Sequence, residues 1–187
     1  MAQKRKNWNA LISGFSASDL VFLDESGYNT DMTRRYAYSL GGSRAVDSAP
    51  LSKPKNTTIL SSIQLDGTLR YTTFSGGTTV ERFKRYLETD LLPHLNGNSV
   101  LIMDNMKSHH ARAVKNLLDS SGIRYIYLPP YSPDLNPIEK LWSKVKAFLR
   151  KFKARTLDAL PNAIQNAFHS VTVSDCSGWF RFCGYAL

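Results

Sequence analysis

The sequence predicts an α/β fold, a mixed five-stranded sheet flanked by helices, and three observations predict it. Two β-rich runs meet at an Asp-Gly pair, so the sheet begins antiparallel. Helix-like and strand-like segments then alternate, the pattern of strands joined by crossover helices. A length of 187 residues, with 42% hydrophobic and 21% charged side chains, suffices for one buried core and excludes wholesale disorder.

The elements run in this order. Asp19-Leu20-Val21-Phe22-Leu23-Asp24-Glu25-Ser26-Gly27 reads as a buried strand that ends in carboxylates and a Ser-Gly turn. Residues 41–56, rich in Gly, Ser and Pro, read as an exposed connection. Thr57 to Leu65 and Leu69 to Phe74 form a hairpin around Asp66-Gly67. Thr78 and Thr79 offer caps for a helix through Val80, Phe83, Leu87 and Leu91, closed by Pro93. Ser99 to Met103 is a short apolar strand that arrives at Asp104-Asn105. Ala113, Val114, Leu117 and Leu118 recur at helical spacing until Gly122, and Ile123 to Leu128 is a strand stopped by Pro129-Pro130. From Asn136 to Phe152 an apolar stripe of Ile138, Leu141, Trp142, Val145, Phe148, Leu149 and Phe152 marks the clearest helix. Two more helices are expected at 156–169 and 172–183.

No apolar run is long enough to span a bilayer, and no signal-peptide segment succeeds the polar start, so the expectation is a cytoplasmic protein without a membrane partner. Cys176 and Cys183 stand seven apart, two helical turns, and are expected as reduced thiols on one buried helix face. The net charge of +9 suggests a polyanionic partner. Residues 1–100 are nearly balanced, with twelve basic and nine acidic side chains. Residues 140–155 instead hold Lys140, Lys144, Lys146, Arg150, Lys151, Lys153 and Arg155 with no acidic residue. Such a run is either a solvated helix face or a stripe that contacts phosphates and releases their counterions.

Two strands end in an aspartate, Asp24 and Asp104, and Glu139 lies in the first turn of the clearest helix. Hard divalent ions take oxygen ligands, and carboxylates on adjacent strands can hold a metal pair for phosphoryl transfer. Each residue also has a plainer role open to it. Asp24 can form a strand-end turn, and Glu25 beside it competes as the functional carboxylate. Strand parity puts Leu20, Phe22 and Asp24 on one face and Val21, Leu23 and Glu25 on the other. Asp104 can form an Asx turn. Asn136-Pro137-Ile138-Glu139 fits a helix start with Asn as cap and Glu at the third position.

Three segments together resemble the mariner superfamily of DDE transposases, most closely its bacterial insertion-sequence branch. They are Phe22-Leu23-Asp24-Glu25-Ser26-Gly27, Met103-Asp104-Asn105 with His109 five residues after Asp104, and the run from Leu128 through Pro129-Pro130-Tyr131-Ser132-Pro133-Asp134-Leu135-Asn136-Pro137-Ile138 to Glu139. Thirty-four residues separate Asp104 from Glu139, the spacing of the branch that ends in Glu. The segment Asn29 to Tyr36 also resembles the stretch after the first catalytic strand in that branch.

The resemblance implies an RNase H-like fold in which Asp24, Asp104 and Glu139 are catalytic and bind two Mg²⁺ or Mn²⁺ ions. It implies cutting of double-stranded DNA at the ends of a mobile element and transfer of the freed 3′-hydroxyl to target DNA, with a homodimer on the DNA. Asn105, His109 and Asn136 are expected to support the site, with Tyr131 framing the loop before Glu139. Lys140, Lys144, Lys146, Arg150 and Lys151 are expected to meet the DNA backbone. Trp142, on the apolar stripe, is expected in the core. His94, His110 and His169 match no motif.

Residues 1–17 are read as an N-terminal extension and 18–187 as the catalytic domain. The helix-turn-helix module with which the family reads its terminal repeats is read as absent. The chain is therefore expected to be the second reading frame of a split transposase, a truncated gene or an excised catalytic domain, the first of these with an upstream-frame helix-turn-helix polypeptide as partner. Two other readings stay open. One is a non-catalytic DNA-binding remnant, and the other is an RNase H-like nuclease acting on RNA–DNA hybrids.

Overall fold

The computed structural model describes residues 2–33, 36–48, 56–154 and 156–186. Arg34, Arg35 and Arg155, and residues 49–55 of the expected connection, lie outside the described residues. Five strands form one sheet in the order β3-β2-β1-β4-β5. The central strand β1 (Leu20–Tyr28) pairs antiparallel with β2 (Thr57–Ile63), which pairs antiparallel with β3 (Leu69–Ser75). On its other side β1 runs parallel to β4 (Val100–Met103), and β4 runs parallel to β5 (Arg124–Tyr127). The mixed sheet expected from the sequence is therefore present.

The hairpin turn is one residue longer than a tight Asp-Gly pair. Gln64 and Thr68 still pair, Gly67 N–H bonds Gln64 C=O, and Gly67 sits at φ +89°. Leu65-Asp66-Gly67 is thus a three-residue loop with glycine in the left-handed position, and Asp66 accepts from Thr68 N–H at 2.8 Å.

Helices cover both faces. Val21 and Leu23 of β1, Leu60 of β2, and Leu101 and Met103 of β4 pack against α2 (Val80–Tyr86) and α3 (Arg112–Ser121). Thr79 caps α2 by accepting from Arg82 N–H. The helix then widens through Leu87–Leu91 and tightens through Leu92–His94, where Pro93 stops it. Leu20, Phe22, Ile59, Ile63, Val100 and Ile102 face the opposite layer. That layer holds α4 (Ile138–Phe152), α5 (Ala159–His169) and α6 (Val173–Phe182). Leu101, Ile102 and Met103 are fully buried, each contributing roughly 1.5–3 kcal/mol. Four such residues suffice as a strand because both faces are covered.

The N-terminal extension is not featureless. Residues Ala2–Ile12 form α1, whose Trp8 is buried in the same cluster as Phe22 and Tyr185. Its sequence is polar apart from Ala2, Trp8, Ala10, Leu11 and Ile12, so periodicity carries no helix signal there. Arg5 on α1 forms a two-pronged ion pair with Asp134 and also donates to Ser132, tying the helix to the loop before Glu139. Cys176 and Cys183 are free and buried, and burial pushes both thiols up to about 11. Among the described residues no helix is long and apolar enough to cross a membrane.

Candidate active site

The parallel pairing of β1 with β4 builds the site. Leu23 lies opposite Met103, the last residue of β4, so Asp104 leaves the sheet beside Asp24. Asp24 itself sits midway along β1: the Ser-Gly turn expected after it does not form, because Ser26 and Gly27 stay paired with β2 and the strand runs on to Tyr28. Asp24 Oδ1 accepts from Glu25 N–H at 2.8 Å, and its Oδ2 accepts from Trp142 Nε1 at 3.1 Å. Burial pushes the Asp24 carboxyl up to about 7. These two donors oppose the rise, and the negative charges of Asp104 and Glu25 add to it. Such an environment favours a cation that is shared with Asp104.

Asp104 is held from behind. Its Oδ1 accepts from Met106 N–H at 2.9 Å, the Asx turn anticipated from the sequence, and from His109 Nδ1 at 2.8 Å. His109 is fully buried and stacked on Phe83, with ring centroids 4.2 Å apart. Its Nε2 faces Glu25 Oε2 at 3.2 Å. Burial works against a cation there, but the two carboxylates outweigh it and raise the imidazole to about 9, so it donates to both as an imidazolium. Burial opposes ionisation of Asp104, but the bonds from His109 and Met106 outweigh it and hold the carboxyl below its usual range. Strand parity thus separates the neighbouring carboxylates. Asp24 opens into the cleft, while Glu25 turns to the other face and reaches Asp104 through His109. The sequence carries no signal that His109 stands opposite Glu25.

Asn105 secures the third wall. Its side-chain amide donates to Leu128 C=O at 2.6 Å, and Leu128 N–H bonds Met103 C=O at 2.8 Å, so the Leu128–Pro129 segment is fastened to the end of β4. Tyr131 comes next, exposed and at φ +56°, a left-handed conformation uncommon for a non-glycine residue. Pro133–Leu135 forms a short turn that delivers Asn136 and then α4.

The sequence predicts a capping box at the start of α4, but none forms. Asn136 is buried against the cleft, its side-chain oxygen without a partner among the described residues, and no side chain caps the helix. Backbone alone closes the first turn, through Glu139 N–H to Asn136 C=O and Lys140 N–H to Pro137 C=O. Glu139 is therefore not consumed as a cap. It is exposed and lines the same cleft, about 450 Å³, as Asp24, Asp104, Asn105, Tyr131 and Asn136.

The donor set fits a hard divalent cation: carboxylate oxygens, those of Asp24 buried beside further negative charge, next to an unpartnered amide oxygen. Among the described residues, however, no three Asp, Glu, His or Cys side chains are gathered into one metal-binding group. The two aspartates adjoin, and Glu139 lines the cleft with them without closing on them.

The basic residues of α4 divide between two sides. Lys140 Nζ lies 3.7 Å above the ring of Phe182, and Lys144 Nζ bonds Asp175 Oδ2 at 2.5 Å, so both turn toward α6. Lys146 lies 5.7 Å over the Tyr28 ring, and Arg150 acts electrostatically on the same tyrosine, whose other charged neighbours are Asp24 and Glu139. Lys151 and Lys153 sit beside the exposed segment around Val46, where Lys153 pairs with Asp47. Trp142 lies in the core as expected, but its donation to Asp24 has no signature in the sequence.

The pattern of the family described as DDE superfamily endonuclease matches residues 19–161. Over 97 residues the chain is 28% identical to the Transposable element Tc1 transposase of Caenorhabditis elegans, covering 50% of this chain and 36% of that protein. It superposes on the Mos1 mariner paired end complex with Mn at a TM-score of 0.80 and 22% identity, covering 95% of this chain and 57% of that one. For a pre-cleavage Mos1 transpososome the values are 0.76, 20%, 95% and 58%. For the catalytic domain of Mos1 mariner transposase they are 0.68, 16%, 96% and 85%. At these identities the structural likeness establishes the fold, which is RNase H-like. The chain spans little more than half of the longer Mos1 chains and about a third of the Tc1 protein.

Proposed function

The chain belongs to the DDE superfamily endonucleases, and from that membership we propose that it is the catalytic domain of a DNA transposase. In this reading Asp24, Asp104 and Glu139 hold two Mg²⁺ or Mn²⁺ ions, and residues 18–187 are the unit that acts on DNA. One observation carries the reading: an aspartate midway along β1 and an aspartate just past the end of the parallel neighbour β4 share a cleft with a glutamate from the first turn of a facing helix. Bound divalent cations would supply an activated oxygen nucleophile and charge neutralisation at the scissile phosphate.

The chain's own groups do the rest. His109 and Met106 N–H hold Asp104 ionised and oriented. Asn105 fixes the loop that forms the far wall. Lys146 and Arg150, on the Tyr28 side of α4, are placed to meet a phosphate backbone crossing the cleft mouth. The Glu at the third position and its spacing from Asp104 support the bacterial insertion-sequence branch within the Tc1/mariner relatives, and with it a DNA-associated cytoplasmic location. Double-stranded DNA is the proposed substrate, with a second copy of the chain and an upstream helix-turn-helix polypeptide as the partners that supply end recognition.

The test is nicking of DNA by the purified chain with Mg²⁺ or Mn²⁺, alone and with the upstream polypeptide. Asp24→Ala, Asp104→Ala and Glu139→Ala should each lose nearly all activity, roughly a thousandfold or more. Residual activity equal to wild type in all three would falsify the assignment. A second reading, a DNA-binding remnant, draws on the ungathered Glu139. It would be established by salt-sensitive DNA binding without cleavage under any metal. A preference for RNA–DNA hybrids would instead mark a nuclease of the RNase H type.

A further inference from the structure

We infer that Trp142 is a positioning residue for Asp24, its indole N–H fixing how that carboxylate meets a divalent cation in the cleft. The inference rests on the metal-dependent reading above. Trp142 is only 2% exposed, and its ring is wedged edge-on between Tyr28 at 6.2 Å and Phe168 at 6.5 Å. A ring so confined cannot turn without displacing its neighbours, so the direction of its N–H is set by packing.

That donor could have been omitted. Phenylalanine would fill much of the same pocket, and a buried indole N–H costs free energy unless it finds a partner. Its partner is Asp24 Oδ2, 3.1 Å away, on a carboxylate that lines the cleft. With Glu25 N–H on Oδ1 and Trp142 on Oδ2, both oxygens of Asp24 are clamped, and rotation about its last torsion would break both bonds. One lone pair on each oxygen is left for the cleft that Asp24 lines.

Helix geometry gives the arrangement its purpose. Glu139 and Trp142 are three residues apart and share a face of α4. The same helix therefore presents the third carboxylate to the cleft and the donor to the first. A shift of α4 moves both together, and the Trp142–Asp24 bond keeps β1 and α4 in one register. Ligand orientation of this kind typically changes metal affinity ten- to a hundredfold when removed.

The experiment is Mn²⁺ binding, monitored by electron paramagnetic resonance, for wild type, Trp142→Phe and Phe168→Leu. Indole N–H exchange by NMR in wild type and Asp24→Ala accompanies it. Trp142→Phe should bind Mn²⁺ about tenfold more weakly. Phe168→Leu loosens the same ring pocket but keeps the donor, and it should bind as wild type does. The Trp142 indole N–H should exchange slowly in wild type and quickly in Asp24→Ala.

Unchanged affinity in Trp142→Phe would overturn the inference and leave the function standing, as would an equal loss in Phe168→Leu. Wild type that binds no Mn²⁺ would overturn both. Should Trp142→Phe fail to fold, the exchange comparison still decides, since an indole N–H indifferent to Asp24→Ala means that no such bond exists.

Discussion

Asp24 and Glu25 are chemically near-identical neighbours that the strand sends to opposite faces, and their fates differ accordingly. Asp24 is pushed up to about 7 by burial, reinforced by the charges of Asp104 and Glu25, while its two hydrogen bonds fall short of compensating. A carboxyl with a folded pKa above its unfolded one destabilises the fold at any pH where it is ionised. The cost is therefore full at about pH 8 and absent once the group is protonated in both states. Asp24→Asn keeps one accepting oxygen and removes the charge. In metal-free buffer at about pH 8 this variant should unfold later than wild type, by a few kcal/mol at most, while losing catalysis. Adding Mn²⁺ should raise the wild-type midpoint and leave the variant's unchanged. A variant less stable than wild type at that pH, without metal, would show that the charge is already compensated within the protein. Parity separates Asp24 from Glu25 in the sequence, but only the packing of Leu20 and Phe22 against α4 assigns Asp24 to that helix's side of the sheet. The Glu25–His109–Asp104 chain is illegible in the sequence, because it joins residues 84 positions apart through a ring buried under Phe83.

At the level of elements, the strands and the later helices are legible because their apolar patterns are unambiguous: continuous apolar runs in the first half of β1 and in β4, a wide stripe in α4. Two features escape for different physical reasons. Helix α1 is held by one buried tryptophan and an ion pair to a loop more than a hundred residues away, so no local pattern announces it. At α4, the Asn-Pro-Ile-Glu start obeys the local capping rule but yields to tertiary demand, with Asn136 turned into the cleft and Glu139 left exposed. Helix α6 keeps to the local rule. Thr172 accepts from Asp175 N–H at 3.1 Å, and Asp175 Oδ2 accepts from Thr172 N–H at 2.8 Å. Lys144 of α4 completes the cap by bonding the same oxygen, so the cap also locks α4 against α6. Lys144, opposed by burial and assisted by Thr172, holds the Asp175 carboxyl below its usual range. A depressed acid contributes stability above its unfolded pKa and loses it as pH falls through the folded one. Asp175→Asn should therefore cost about 1 kcal/mol in urea denaturation at neutral pH. The difference should shrink once the pH drops well below 3.8, the ordinary aspartate value. A gap that persists in acid would assign the loss to geometry and not to charge.

Over the whole molecule, the net charge of +9 points to a polyanion without saying which face would meet it. The basic run on α4 looks like one stripe in sequence, but a helix distributes consecutive cations around its circumference. Packing then assigns them different work. Lys140 and Lys144 are spent on Phe182 and Asp175 of α6, whereas Lys146 and Arg150 stand beside Tyr28 on the side of the carboxylates. Each phosphate neutralised by a bound cation releases counterions, and the salt dependence of affinity counts those contacts. The structure thus divides residues that charge counting treats alike. For duplex DNA bound in a nonhydrolysing buffer with EDTA, Lys146→Ala and Arg150→Ala should each weaken binding evenly across sequences and lower the slope of log affinity against log salt by about 1. Lys144→Ala removes the same formal charge, yet it should leave that slope near the wild-type value and show its loss in thermal stability, because its ammonium is already paired. Equal slopes for all three variants would mean that the duplex reaches around to α6 and takes Lys144 from Asp175. In that case α6, and not the Tyr28 side of α4, would form the main DNA-facing wall.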